Sequence, residues 1–366
     1  MLIQDIPKDC KFWVVRSGDG GVYFNHFVHN SIVAIGHIDG MSFSNSILTN
    51  REDALALVLN YKKALLGKKE SLASASNKAG QVSRFINGMS IGDIVITLDA
   101  KRICVGVIES GVYKSIDDVT IKNADGTVDE RLLKYTLRRT VKWGKPQFRN
   151  NLPLAINNSF RANQTVFSVD EHWKELNHWL SVAFLSGNDA YISSRIEQTD
   201  GINNLDIAQY SIIINKIEAI AETIERNKER VSGDELAKLF KKTYGALREQ
   251  RTFTVTTQQV FLSPGDLWAK TTGSRKKSIL VICTFLVMFD ITPTFADKKD
   301  QALFDENIDS ISLLIDMVKQ DENFDAVKSG LALKVPVQKL DKVNSVEKTM
   351  KKDIDDDVEP DNFEGI

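Results

Sequence analysis

From Lys11 to about Phe167 the apolar positions come in short runs broken by Gly, Asn and Asp. FWVVR, SIVAIG, GDIVITL, RICVGVIES and TLRRTVKW each have strand length and strong β-branched or aromatic content. Between the second and third of these, REDALALVLNYKKALLG and SNKAGQVSRFINGM carry Leu, Val and Phe at helical spacing. The pattern predicts a compact, mixed α and β domain of roughly 150 residues. Strands that end in Ile35-Gly36 or begin at Gly92-Asp93 suggest a small curved barrel, because strands need glycine where a sheet bends sharply.

From Ser168 onward the period becomes helical. SVDEHWKELNHWLSVAF opens with Ser168 three residues before Glu171, a capping-box spacing. LDIAQYSIIINKIEAIAETIERNKER sets Leu205, Ile213, Ile217, Ile220 and Ile224 near one face, a long amphipathic helix of the kind that pairs with its own copy, so a homodimer is expected. Ser232 and Glu235 repeat the capping pattern before LAKLFKKTYGALREQR, and TFTVTTQQVFL then reads as a strand before a turn at Ser263–Gly265. IDSISLLIDMVKQ is a further amphipathic helix. The acidic end, 339–366, has few large apolar residues and is expected to be disordered. The fold class is therefore α+β, with a barrel-like domain at 1–169, a mainly helical domain at 170–338 and a tail.

Charge sharpens this division. Residues 1–170 carry 22 Lys and Arg against 16 Asp and Glu, a net of +6, and the remainder carries 25 against 33, a net of −8. The first half is the better candidate for an anionic partner. Cys10, Cys104 and Cys283 are widely separated and odd in number, and MLIQDIPKDCKF has an acid at position 5 and no apolar run of signal length, so a reducing, cytoplasmic setting is expected. One stretch bears on membranes. Ser278–Phe289 is a nearly unbroken run of twelve apolar residues after Arg-Lys-Lys. A bilayer span needs about 20, so a buried core segment is expected and a short membrane-seeking segment is the alternative.

The chemistry-bearing residues exclude several classes. Gly18, Gly20 and Gly21 are followed by another apolar stretch with no Lys-Ser or Lys-Thr, which argues against a phosphate-binding P-loop and leaves a turn into a short helix. His26 and His29 are three apart, but no Cys or carboxylate follows at metal-site spacing. His172 and His178 fall on different helix faces, and Trp173 and Trp179 read as core. Asp99 with Glu109 is the nearest approach to a metal-dependent nuclease, and Ser-Gly-Val-Tyr-Lys after Glu109 breaks the Glu-x-Lys spacing. No catalytic residue, metal or cofactor is assigned.

Taken in order, WVVRSGDGG, SIVAIGH, GQVSRFINGM, IGDIVITLDAKRICVGVIESGVY, RRTVKWG and NQTVFSV resemble the PUA-like, EVE-type sensor domain at the N-terminus of Mrr-type restriction proteins and other modification-dependent defence proteins. The resemblance spans about Cys10 to Val169. It implies a pseudo-barrel whose concave face holds a planar ligand, in related domains often a modified base turned out of the nucleic-acid stack. On this chain it makes Trp13 and Trp143 the aromatic walls, with Arg16, Ser17 and Gly18 at the rim. His37 follows the Ile-Gly step, and Arg84 lies in the helix ending at the barrel mouth. Arg138, Arg139, Lys142 and Lys145 would meet the nucleic-acid backbone. Each has a plainer reading: Trp13 as core, Arg84 as the partner of Asp93, Phe85 and Phe167 as packing. The nuclease domain that follows the sensor in Mrr-type proteins is not found after Ser168. The expectation is thus a reader of modified bases in foreign DNA, acting in restriction or anti-phage defence, whose helical half is an effector, an oligomerisation unit or a dock for a separate protein. The alternatives are a sensor of a small nucleotide-like signal coupled to a membrane-acting effector, and a diverged modification-dependent nuclease.

Overall fold

The computed structural model describes residues 1–121, 131–149, 152, 154–227, 231–259, 265–337 and 339. The expected turn at Ser263–Gly265 and the expected disordered tail lie outside these residues, apart from Gly265 and Lys339 themselves. The chain forms two units, Cys10–Leu176 and Met1–Asp9 with Asn177–Asp341.

The first strand, β1 (Leu2–Asp5), belongs to the second unit. The half-barrel unit then runs β2 (Phe12–Val15), α1 (Phe24–His29), β3 (Ile32–Ile35), α2 (Asn45–Thr49), α3 (Arg51–Gly67) and α4 (Leu72–Ser83). It continues through β4 (Ile94–Leu98), β5 (Arg102–Ile108), β6 (Tyr113–Lys114), β7 (Leu137–Trp143), β8 (Gln147–Phe148), α5 (Leu154–Ser159) and β9 (Val166–Ser168). Its sheet has the order β3-β7-β5-β4-β2-β9, with β6 added to β7 and β8 to β5, and it curls into a half-barrel. All four residues of β2 and all five of β4 are buried, as expected of strands covered on both faces. The two pair in parallel with Trp13 opposite Val95, and β9 closes on the other side of β2 with Ser168 opposite Trp13. The first half of β7 pairs with β3 and its second half with β5. α3 and α4 start at side-chain caps: Asn50 Oδ1 accepts from the backbone N–H groups of Glu52 and Asp53, and Ser71 Oγ accepts from that of Ser74.

α6 (Trp173–Leu180) leads into the second unit: β10 (Ala183–Ser186), β11 (Asp189–Ile196), α7 (Asn204–Arg226), α8 (Gly233–Gln250), β12 (Thr256–Gln259) and β13 (Gly265–Thr272). Then follow α9 (Arg275–Met288), β14 (Thr294–Phe295), α10 (Lys298–Asp321), α11 (Phe324–Gly330) and β15 (Leu333–Lys334). The expected helical character holds for α7 to α11, but a sheet of order β12-β13-β11-β10-β1-β14, with β15 beside β11, runs through the unit. The expected domain beginning at residue 1 is corrected for the same reason. β1 pairs in parallel with β10, Gln4 opposite Phe184, and with β14, Leu2 opposite Thr294, so residues 1–9 are part of the second unit.

The apolar run after Arg-Lys-Lys is α9. Residues from Lys277 to Leu286, with Met288, are buried, and α7, α10 and β11 pack around it. Among the described residues no helix is long and apolar enough to cross a membrane. The apolar face of α7 is likewise used up inside the unit: Tyr210, Ile213, Ile217, Ile220 and Ile224 are buried among the residues of α8 to α11, and only Leu205 of the expected stripe is exposed. The face on which self-pairing was expected is thus already covered.

α7 and α9 are also joined by charge. The fully buried Glu218 accepts from Lys277 Nζ at 2.7 Å, from Thr254 Oγ1 at 2.7 Å and from the backbone N–H groups of Thr254 and Val255; Lys277 also reaches Glu222 at 2.9 Å. Removing one partner of such a buried pair strands the other charge. Lys277→Met is therefore expected to cost the second unit about 3–5 kcal/mol. Amide hydrogen exchange would read this as faster exchange across α7, α9 and residues 252–255, with β4 and β5 changing less.

Candidate ligand cavity

β2 is followed by Arg16-Ser17-Gly18-Asp19-Gly20-Gly21. Gly18 adopts φ 83° and ψ 178°, a conformation open in practice only to glycine, and a Cβ there would lie 2.8 Å from the Tyr23 ring. Gly21, at φ 80°, approaches the Asp99 backbone so closely that a Cβ would stand 2.5 Å from its Cα. The turn between them is closed by Gly21 N–H to Gly18 O at 3.1 Å and Tyr23 N–H to Ser17 O at 2.8 Å. β3 is followed by Gly36-His37, and Gly36 approaches the Tyr135 ring so closely that a Cβ would stand 2.5 Å from its Cδ1. The Tyr135 ring also meets Tyr23 edge-on, centroids 5.3 Å apart.

These two strand ends, with Tyr61 from α3, Lys78 from α4 and Thr165 before β9, enclose a cavity of about 380 Å³ lined by Arg16, Gly18, Asp19, Gly36, His37, Tyr61, Lys78, Tyr135 and Thr165. Several of its polar groups already have partners. Arg16 Nε donates to Gln164 O at 3.2 Å and Nη2 to Phe160 O and Ala162 O, which leaves Nη1 without a hydrogen bond among the described residues. Burial, with Arg149 nearby, holds this guanidinium below its ordinary pKa. Lys78 Nζ pairs with Glu70 Oε1 at 2.8 Å, and Ser74 Oγ donates to the other carboxylate oxygen at 2.8 Å. Burial, reinforced by Lys78 and opposed by Asp39, pulls His37 below the usual 6.5, so the imidazole is neutral at pH 7 and can accept as well as donate. Burial first, then Tyr23, Asp19 and Asp39, raises the Tyr135 phenol, which stays a donor. Gln81 Oε1 accepts from the N–H groups of Thr165 and Val166 and so fixes the wall that Thr165 supplies.

The arrangement has the size and the mix of ring faces and hydrogen-bonding groups that suit a small planar ligand. Among the described residues no cluster of three or more His, Cys, Asp or Glu is placed to hold a metal. His26, the first of the spaced histidines, is buried with Nε2 2.8 Å from Arg131 O.

Of the residues singled out in the sequence, Arg16, Gly18 and His37 line the cavity. The others do not. Trp13 is core: its Nε1 donates to Asp93 Oδ2 at 2.9 Å, which also removes Asp93 as a partner for Arg84. Arg84 instead donates to Gln164 Oε1 and Val166 O. Trp143 is 1% exposed, with Nε1 on Phe27 O at 2.9 Å. Ser17 is fully buried. Arg138 and Arg139 are buried too, because β7 is covered on both faces where it passes β3. Arg138 bonds Tyr135 O, Ser115 Oγ and Asp117 O. Arg139 bonds the carbonyls of Phe85, Ile86, Met89 and Ser110, and thereby satisfies the π-helical turn Arg84–Gly88 that ends α4; burial pulls it down to about 10. Neither guanidinium is presented to a phosphate. Lys142 and Lys145 are half-buried on and just after β7. Phe85 and Phe167 are packing residues, as expected.

Sequence reasoning missed Asp19, Gly36, Tyr61, Lys78, Tyr135 and Thr165. Asp19 and Gly36 sit inside quoted motifs and could have been found there. Tyr61 and Lys78 lie on helices whose spacing marks only an inner face, and Tyr135 stands just outside the quoted strand TLRRTVKW. Comparison of the chain with protein-family profiles, with curated proteins and with solved structures finds no match.

The structural role of Arg139 makes a clear expectation. Arg139→Met leaves four carbonyls short of a charged donor and should lower unfolding stability by about 3 kcal/mol or more, and Arg139→Lys should recover little, because a compact ammonium cannot spread its donors across the four carbonyls as the planar guanidinium does. Lys142→Ala should stay within about 0.5 kcal/mol. Urea midpoints of the three variants check this.

Proposed function

We propose that the half-barrel unit is a PUA-like, EVE-type reader of modified bases in DNA, that it acts in restriction or anti-phage defence, and that the second unit carries or recruits its output. The observation that supports this reading best is the cavity itself. It forms where WVVRSGDGG and SIVAIGH converge, two of the six motifs whose order carries the resemblance, and it is lined by three of the residues the resemblance assigned, Arg16, Gly18 and His37. Its ring faces are Tyr135 and Tyr61 rather than the two tryptophans. Tyr135, held between Gly36 and Tyr23, is a rigid face for stacking, and neutral His37, Thr165 and the open Nη1 of Arg16 are groups that read the edge of a base.

A base turned into this cavity must leave its stack, and modification or mismatch lowers that cost, which is one source of selectivity. The phosphates on either side then meet lysines and arginines of the basic half of the chain, so binding falls with salt. A free nucleotide-like signal would use the same cavity without the salt dependence of a duplex. The membrane-acting version of that alternative loses its motive, because the apolar run is a helix buried inside its own unit.

Binding of the full-length protein to short duplexes carrying cytosine or adenine modifications, followed by fluorescence anisotropy at two salt concentrations, tests the reading. The expected result is salt-sensitive binding that prefers one modification. Tyr135→Ala should weaken it about tenfold or more, the range for losing one stacking face, while Trp13→Phe changes stability and leaves the preference intact. Equal affinity for modified and unmodified duplexes would sink the proposal.

A further inference from the structure

Helix α3 is apolar on two faces. Ala54, Leu57, Val58, Tyr61 and Leu65 are buried in the core of the half-barrel unit, and Tyr61 reaches the cavity from this side. On the opposite side Leu55 is 43% exposed, Leu59 59% and Leu66 39%. At 3.6 residues per turn these leucines fall with Glu52, Ala56 and Lys63, all exposed, inside an arc of about 100°. Surface leucines scattered singly need no explanation. A row of them on a helix whose other face is already core marks a surface that something covers.

The order of charges along α3 says what the cover is. Its acids, Glu52 and Asp53, stand in the first turn, and its lysines, Lys62 and Lys63, stand in the second half, with Lys68 and Lys69 just beyond. A face with leucines in the middle, acid at one end and base at the other is complementary to itself after a two-fold rotation. We infer that α3 pairs antiparallel with α3 of a second copy of this chain. In the register that sets Glu52 opposite Lys63 of the partner subunit, the two-fold axis passes between Leu57 and Val58, and Leu59 stands level with Ala56 of the partner subunit. The large side chain thus meets the small one, and Leu55 packs beside the partner's Leu59. The leucines of both copies are enclosed by two Glu52–Lys63 pairs, one at each end. A parallel pair would set Glu52 on Glu52 and Lys63 on Lys63 and align the two helix dipoles, so charge selects the antiparallel arrangement. The face of α7 on which self-pairing was expected is covered inside its own unit, whereas this one is open. The inference is independent of what the cavity binds.

Sedimentation velocity of the full-length protein over a series of concentrations tests this. A pair of helices about 25 Å long is a small interface, below about 1,200 Å² in total, so a concentration-dependent monomer–dimer equilibrium is expected. Leu59 is exposed in the monomer and buried twice in the dimer. Leu59→Glu should therefore raise the dissociation constant about a hundredfold and leave the melting temperature of the dilute protein unchanged. Glu52→Lys and Lys63→Glu should each weaken self-association, and an equimolar mixture of these two variants should associate again, because each supplies the charge the other has lost. A wild type that stays monomeric at every concentration overturns the inference; if it then dimerises once residues 342–366 are removed, the chain's own acidic end is what covers α3. A dimer that Leu59→Glu leaves intact, or a mixture of the charge variants that associates no better than either alone, overturns it as well.

Discussion

The hydrogen bond from the Trp13 indole to Asp93, 2.9 Å long and buried, sets the frame of the half-barrel unit. The same carboxylate collects the N–H groups of Lys11 and Ser90, so it ties the start of β2 to the turn before β4 and fixes the parallel register of the two strands. Parallel neighbours cannot be joined by a tight turn. The chain between them has to make a long excursion, and that excursion contains α1, β3 and the helices α2 to α4. Tyr61 and Lys78 reach the cavity because they lie on this crossover. β3 and β2 are separated in the sheet by β7, β5 and β4, and their carboxyl ends line one cavity because the sheet curls. A flat sheet of the same order would have no such site.

A second constraint explains which side chains remain for a ligand. Buried polar groups must be paired, and in this unit the large donors are spent on that task. Trp143 supplies Phe27 O, Arg139 the π-helical turn, Arg84 the start of β9, and Arg16 three carbonyls of 160–164. Tryptophan and arginine in apolar strands look like a stacking and phosphate-binding set when only their types are visible. Burial turns them into internal props. What the sequence did make legible is backbone geometry: strand lengths, the helical pair between them and the glycine turns, because apolar period and glycine report local conformation directly. It did not make legible that the first half of β7 pairs with β3, since that is a long-range pairing.

In the second unit the helices and one strand, Thr256–Gln259 within TFTVTTQQVFL, were readable and the rest of the sheet was not. Ser232 caps α8 as its spacing implied, and the run in α9 is short for a membrane and apolar enough for a core. Leu2-Ile3-Gln4-Asp5 is too short and too mixed to be recognised as a strand, and its partner Ala183–Ser186 lies almost 180 residues on. The strand Asp189–Ile196 hides its role because Ala190, Ile192 and Ile196 face the helices while Tyr191 and Ser193 are buried on the other side, where Ser193 bonds His178 at 2.7 Å. Such a two-sided strand shows no alternation to read.

The position of β1 has an energetic consequence for the whole chain. β1 and β10 are parallel neighbours, and the segment that crosses between them is the half-barrel unit. Closing a flexible loop of that length would cost roughly 2 kcal/mol more than closing a loop of a dozen residues, by the logarithmic dependence on length. The folded half-barrel removes most of this difference, because β2 and β9 pair antiparallel and Phe12 bonds both Asp170 and Val169, so the two ends of the unit are neighbours. Folding of the half-barrel therefore favours docking of β1 in the second unit's sheet. The pairing responsible runs directly into the cavity, where Arg16 N–H donates to Thr165 O at 2.9 Å and both residues line the wall. A ligand that tightens this wall stabilises the β2 and β9 pair. Its effect on the closure of β1 against β10 is bounded by the same roughly 2 kcal/mol.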